Sequence, residues 1–202
     1  IAKGYWGNIW AKIQDAPSLR ATIDHLEYYT KRIPPALMPQ LPDLDTVKHA
    51  ITTSKNSSPG PNGIPFQAYR IIPDISAPIF LNVINHLANN RLPPQEFNLG
   101  RLFLIPKTDS TAINHTRPIT VNNTDNRIIA KIVTGILTPA LDHIISQSQK
   151  GFIPGRRGGD HIRTLNNDFY AAAQKRKQHY ILFLDTAKAF DSINHHFIFA
   201  ML

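Results

Sequence analysis

Asp185 closes an uninterrupted apolar run, Tyr180-Ile181-Leu182-Phe183-Leu184. Such a run predicts a buried strand. A carboxylate at its end would stand at the rim of a sheet, where a hard divalent cation finds oxygen ligands and keeps room for substrate phosphates. The same carboxylate could instead cap the turn that follows. A second candidate is the stretch Gly151–Gly159, with four glycines, one proline and the pair Arg156-Arg157. Its backbone amides and guanidiniums suit phosphate oxygens, though a solvated basic surface loop has the same composition. It is not a nucleotide-binding P-loop, because the Gly-Lys-Ser/Thr ending is missing. His195 and His196 are adjacent, so on a helix they diverge by about 100° and form no metal pair. His143, His161 and His179 have no partner at ligand spacing. Cysteine is absent, which excludes disulfides, thiolate metal sites and cysteine nucleophiles. An intracellular setting, nuclear or cytoplasmic, is expected.

Charge narrows the partner. Twenty-two Lys and Arg against fourteen Asp and Glu leave +8 on 202 residues. Between Lys150 and Lys177, seven bases face only Asp160 and Asp168. A polyanion, nucleic acid first, is the expected partner, and contacts to phosphates should make binding salt-sensitive. No apolar run approaches the roughly 20 residues of a membrane helix, so no membrane association is expected.

These residues need a scaffold, and the chain punctuates one. Trp6 and Trp10 sit at helical spacing and read as core anchors. The proline-rich run 33–42 predicts an extended connector. Asp43 or Asp45 should cap a helix reaching about Lys55, with Leu44, Val47, Ala50 and Ile51 on one face. A loop at Ser57–Gly63 precedes helices at Phe66–Ile71 and Ala77–Asn90, the second with Pro78 in its first turn. Arg101–Ile105 and Arg117–Val121 should pair as a β-hairpin. Asp125 should cap a helix kinked or divided at Pro139. Another helix is predicted over Asp160–Lys177, and a last one after Ser192 or Asn194.

Four stretches, in order, resemble the reverse transcriptases of non-LTR retrotransposons: Ser58-Pro59-Gly60-Pro61-Asn62-Gly63-Ile64-Pro65; Leu104-Ile105-Pro106-Lys107 with Arg117-Pro118-Ile119; Gln149-Lys150-Gly151-Phe152-Ile153-Pro154-Gly155-Arg156; and Ile181 to Asp185 followed by Ala189-Phe190-Asp191-Ser192. The last resembles the family's motif A. The sequence departs from the family at Asn62, where Asp is usual, and at His115-Thr116, where an aromatic usually precedes Arg-Pro-Ile.

The resemblance implies an α+β fold, with reverse-transcriptase-like fingers and a partial palm, helices packed on a small antiparallel sheet. Residues 1–42 would be an upstream linker or N-terminal extension, and 43–202 a reverse transcriptase domain truncated after motif A. It implies RNA-directed DNA synthesis with Mg2+ or Mn2+, using an RNA template, a DNA primer and deoxynucleoside triphosphates. Asp185 would be the catalytic metal ligand, with the Thr186 carbonyl a second contact. Lys107 and Arg117 would fold over the nucleotide's phosphates. Phe190 would lie under the incoming sugar and refuse a 2′-hydroxyl. Gly151, Phe152, Arg156 and Arg157 would follow the template. The sequence runs seventeen residues past Asp185. The family's xADD block is not among them, so this stretch is expected to be inactive by itself. A different class of reading is a non-catalytic nucleic-acid-binding remnant of a decayed or domesticated element. An unrelated Asp-dependent phosphotransferase would need alternating βα units around Asp185, which the sequence does not show.

Overall fold

The computed structural model describes residues 4, 19–29, 31–107, 109, 112–176, 178, 180–186, 189, 190, 193, 197 and 198. The expected anchors Trp6 and Trp10 and the caps Ser192 and Asn194 lie outside them. The chain forms two compact units, residues 34–140, and residues 1–33 together with 141–202.

The first unit opens on the proline-rich segment, extended apart from a single 3-10 turn at Pro35–Leu37. Asp43 then caps α2 (Leu44–Thr52), its Oδ1 accepting from the Thr46 N–H at 2.8 Å. That hydrogen bond holds the Asp43 carboxyl below its usual pKa. Helix α1 (Leu19–Tyr29) belongs to the other unit. Next come α3 (Phe66–Ile71) and α4 (Pro73–Ala88). The sequence predicted a later start for α4, at Ala77. Pro73 takes the first helical position instead, where a missing N–H costs nothing. Pro78 therefore sits inside the helix.

β1 (Gly100–Pro106) and β2 (Thr116–Asn122) pair antiparallel, with Phe103 opposite Ile119 and Ile105 opposite Arg117. The predicted hairpin is present and slightly longer than expected. α5 (Thr124–Ile144) follows, and it runs through Pro139 as a single helix rather than dividing there. Asp125 lies in its first turn, where a carboxylate complements the helix dipole.

The core of this unit is Val47, Ile51, Phe66, Ala77, Phe80, Ile84, Ile128, Ile129 and Ile132 with Ala50. Each large side chain among them contributes about 1.5–3 kcal/mol by leaving water. Tyr69 packs tilted on Phe80, with centroids 5.2 Å apart. The C-terminal end of α2 is tied to α5 by Lys131. Its ammonium donates to the Ala50 carbonyl and the Thr53 hydroxyl, both at 2.9 Å, and to the Ser54 hydroxyl at 3.3 Å. Burial pushes the Lys131 pKa down.

In the second unit, α6 (Gly159–Gln174) follows the glycine-rich loop and ends three residues before the predicted Lys177. Residues 181–186 take no regular secondary structure and join no ladder among the described residues. Among the described residues the run Tyr180–Leu184 therefore pairs with no strand, and Tyr180, Leu182, Phe183 and Leu184 are largely exposed. An apolar run encodes a demand for cover but not the strand that supplies it, and hydrogen bonding requires that partner. The α+β character holds, with the described sheet limited to the β1–β2 hairpin.

Candidate nucleic-acid and nucleotide site

The hairpin places Lys107 and Arg117 together. Beyond Pro106 the pairing continues for one more bond, the Lys107 N–H donating to the His115 carbonyl at 2.8 Å. Arg117 faces Ile105 across the ladder. Lys107 is the first residue past β1, and Arg117 the second residue of β2, so both lie at the same end of the ladder. Both are exposed. A mobile ammonium beside a planar guanidinium is a chemically sound pair for phosphate oxygens.

The Ser57–Gly63 loop is held by a residue that spacing did not single out. Arg127, on α5, donates to the Ser57 hydroxyl at 2.8 Å and the Ser58 carbonyl at 2.6 Å. Its guanidinium also lies 4.9 Å above the centre of the Phe66 ring. Asn123 Oδ1 accepts from the Asn62 N–H at 3.1 Å, and the Thr124 hydroxyl donates to the Ile64 carbonyl at 2.7 Å. Gly60 is buried against this anchor: a Cβ there would sit 2.5 Å from Asn123 Cα and N. The only sequence signal was a cation one turn inside a helix that follows a polar loop by sixty residues, which fixes no contact.

In the other unit, the glycine-rich loop does not display both its arginines. Arg156 turns inward, with its side chain 6% exposed. Its Nε and one terminal nitrogen donate to Asp142 Oδ1 at 3.1 and 2.8 Å. The rest of its guanidinium donates to the carbonyls of Asp142, Ile145, Ser146 and Gln149. Every N–H of the group is thereby used within this unit, on Asp142 in the last turn of α5, whose residues from 141 on belong here, and on the segment that follows it, where carbonyls lack helical partners and the dipole favours a cation. A guanidinium committed to five oxygens has no donor left for phosphate. The loop's other arginine, Arg157, is the one left with its guanidinium exposed. Gly151 is exposed as well.

The same loop holds two left-handed backbone positions, Gly155 at φ +80° and Phe152 at φ +63°. Phe152 meets Phe190 edge-to-face, with centroids 5.8 Å apart and planes at 84°. Sequence reasoning named both rings but did not pair them.

Asp185 and Thr186 are exposed. The chain leading to them shares a cleft of about 410 Å³ with α6, lined by Leu165, Phe169, Ala172, Tyr180 and Ile181. The donor chemistry of Asp185 fits one oxygen ligand to Mg2+ or Mn2+. Among the described residues no three His, Asp or Glu side chains come together.

Comparison with known proteins puts these residues in context. Residues 105–202 match the family described as reverse transcriptase (RNA-dependent DNA polymerase). That range contains Lys107, Arg117, Phe152, Asp185 and Phe190. A retrovirus-related Pol polyprotein from the type-2 retrotransposable element R2DM of Drosophila melanogaster is 28% identical over 202 residues, which is 98% of this chain and 18% of the relative. The Pol polyprotein from the type-1 retrotransposable element R2 of Popillia japonica is 30% identical over 155 residues, 75% of this chain and 20% of the relative. A transposon TX1 uncharacterized 149 kDa protein of Xenopus laevis is 28% identical over 148 residues, 73% of this chain and 11% of the relative. The chain thus spans a fifth or less of the length of these curated relatives. Residues 105–202 match the reverse transcriptase family, and the chain is similar to Pol polyproteins of R2 retrotransposable elements and to a TX1 transposon protein.

Proposed function

We propose that this chain is the fingers and leading palm segment of an RNA-directed DNA polymerase that copies RNA into DNA by two-metal nucleotidyl transfer. The observation that carries the reading is the family match over 105–202, which spans all nine residues assigned to the site from sequence. When bound, divalent cations supply charge neutralisation and activation of the primer 3′-oxygen. Asp185 is the residue of this chain that holds them, with the Thr186 carbonyl beside it. Lys107 and Arg117 orient the triphosphate from one end of the hairpin. Phe190 lies beneath the incoming sugar and leaves a 2′-hydroxyl without room or partner. Arg157 and the backbone of Gly151 approach the template phosphates.

The experiment is primer extension on an RNA template with Mg2+, using the full-length protein and its Asp185→Asn variant. The variant keeps the shape and loses the anionic ligand, so incorporation should be abolished. Undiminished incorporation refutes the assignment.

A further inference from the structure

The loop that carries Phe152 is more rigidly built than its glycine content suggests. Arg156 clamps it to the last turn of α5 through Asp142, and to the segment after the helix through Ser146 and Gln149. The Gln149 side chain donates to the Gly151 carbonyl at 3.1 Å, and the Arg156 N–H returns to the Ile153 carbonyl at 3.2 Å. Between these ties stands Phe152 at φ +63°, a conformation that suits glycine and that a side chain with a Cβ resists. Gly155, three residues on, is the residue the same backbone geometry ordinarily recruits. Phe152 is nonetheless 89% exposed, so its ring is not retained to fill a core. Its described ring contact is an edge-to-face pairing with Phe190, itself 79% exposed.

We infer that Phe152 is a positioning residue for Phe190: the clamped loop holds a ring against the sugar-facing aromatic and fixes its tilt, so that discrimination between deoxyribose and ribose depends on both rings. This rests on the reading that Phe190 lies under the incoming sugar. Two freely rotating exposed rings would present a soft surface to a 2′-hydroxyl. An edge-to-face pair at 5.8 Å is within the favourable range and restricts the tilt of each partner. The left-handed backbone aims the Phe152 side chain away from the path an ordinary residue would give it, and the loop tolerates that strain because its ends are tied.

The test compares kcat/KM for a deoxynucleotide and the matching ribonucleotide in the full-length protein. Phe152→Ala should lower the deoxy-to-ribo ratio by about two- to tenfold, the range expected for one aromatic pair. Phe152→Tyr, which keeps the ring, should preserve it. Phe152→Gly is the informative third variant. It relieves the backbone and should leave the loop at least as well folded, yet it should lower the ratio as Ala does. Combining Phe152→Ala with Phe190→Val should lower the ratio no further than Phe190→Val alone, because the two rings act as one unit. If Phe152→Ala and Phe152→Gly reduce use of both sugars equally, Phe152 only folds the loop and the inference fails while the placement of Phe190 stands. If Phe190→Val itself leaves the ratio unchanged, the placement of Phe190 fails and takes the inference with it.

Discussion

Removing the Arg156 guanidinium separates two roles that its sequence context left entangled. As a template contact, Arg156→Ala should weaken RNA binding and lower the salt dependence by about one unit of log–log slope. As the clamp seen in the structure, it should instead loosen the end of α5 and the loop. The magnitude follows from the contacts. Asp142 is 55% exposed, so the ion pair is screened and worth no more than about 1 kcal/mol. The carbonyls of Ser146 and Gln149 are exposed and recover water, whereas that of Ile145 is partly buried and loses a charged donor. A charge-assisted bond of the latter kind is worth about 1.5–3 kcal/mol. A net loss of about 2–3 kcal/mol is therefore expected, equivalent to roughly 30- to 150-fold faster local opening. Hydrogen exchange at the Ile145, Gln149 and Arg156 amides reads it directly, since each donates within this segment. Arg157→Ala is the counterpart: its exposed charge should change the salt slope and leave exchange alone. Unaltered exchange in Arg156→Ala together with a reduced salt slope would refute the clamp.

Gly60→Ala should lower the thermal midpoint. The added methyl meets the Asn123 backbone at 2.5 Å, where no rotamer can yield, and overpacking of this kind costs about 1–3 kcal/mol; an unchanged midpoint would contradict the packing. Asp43→Ala should destabilise α2, with a pH signature. The folded carboxyl is held below its ordinary 3.8, so the advantage of Asp43 is full above that value and is lost as pH falls through the folded pKa. Unfolding curves of the two proteins should converge in strong acid, and a constant gap would refute the capping account.

What was legible in the sequence was whatever is decided locally. Asp43 capped its helix because a short carboxylate can reach an N–H three residues on without help from elsewhere. The hairpin was legible because Gly100 and Pro106 bound one apolar run and Arg-Pro-Ile opens the next. The start of α4 was misplaced because Pro73 and Pro78 both satisfy the rule for a first turn, and the rule does not choose between them. Arg156 and Arg127 were illegible for a different reason. A guanidinium serves phosphate, carboxylate and carbonyl equally well, and only the folded chain decides which oxygens arrive first. The run 180–184 announced its hydrophobicity correctly but not its fate, since a strand is a property of two segments.

That run has a consequence for handling these 202 residues as a preparation. Tyr180, Leu182, Phe183 and Leu184 form a short, uncharged, strand-prone segment with its backbone donors and acceptors outside any ladder of the described residues. Segments of that composition stack on copies of themselves. Colloidal behaviour, not unfolding, should then set the working concentration. The +8 net charge provides the opposing repulsion, and Asp185 acts as a gatekeeper at the segment's end. Low ionic strength, which preserves that repulsion, is the condition under which the chain should stay dispersed, and added salt should bring on association well before any loss of helix.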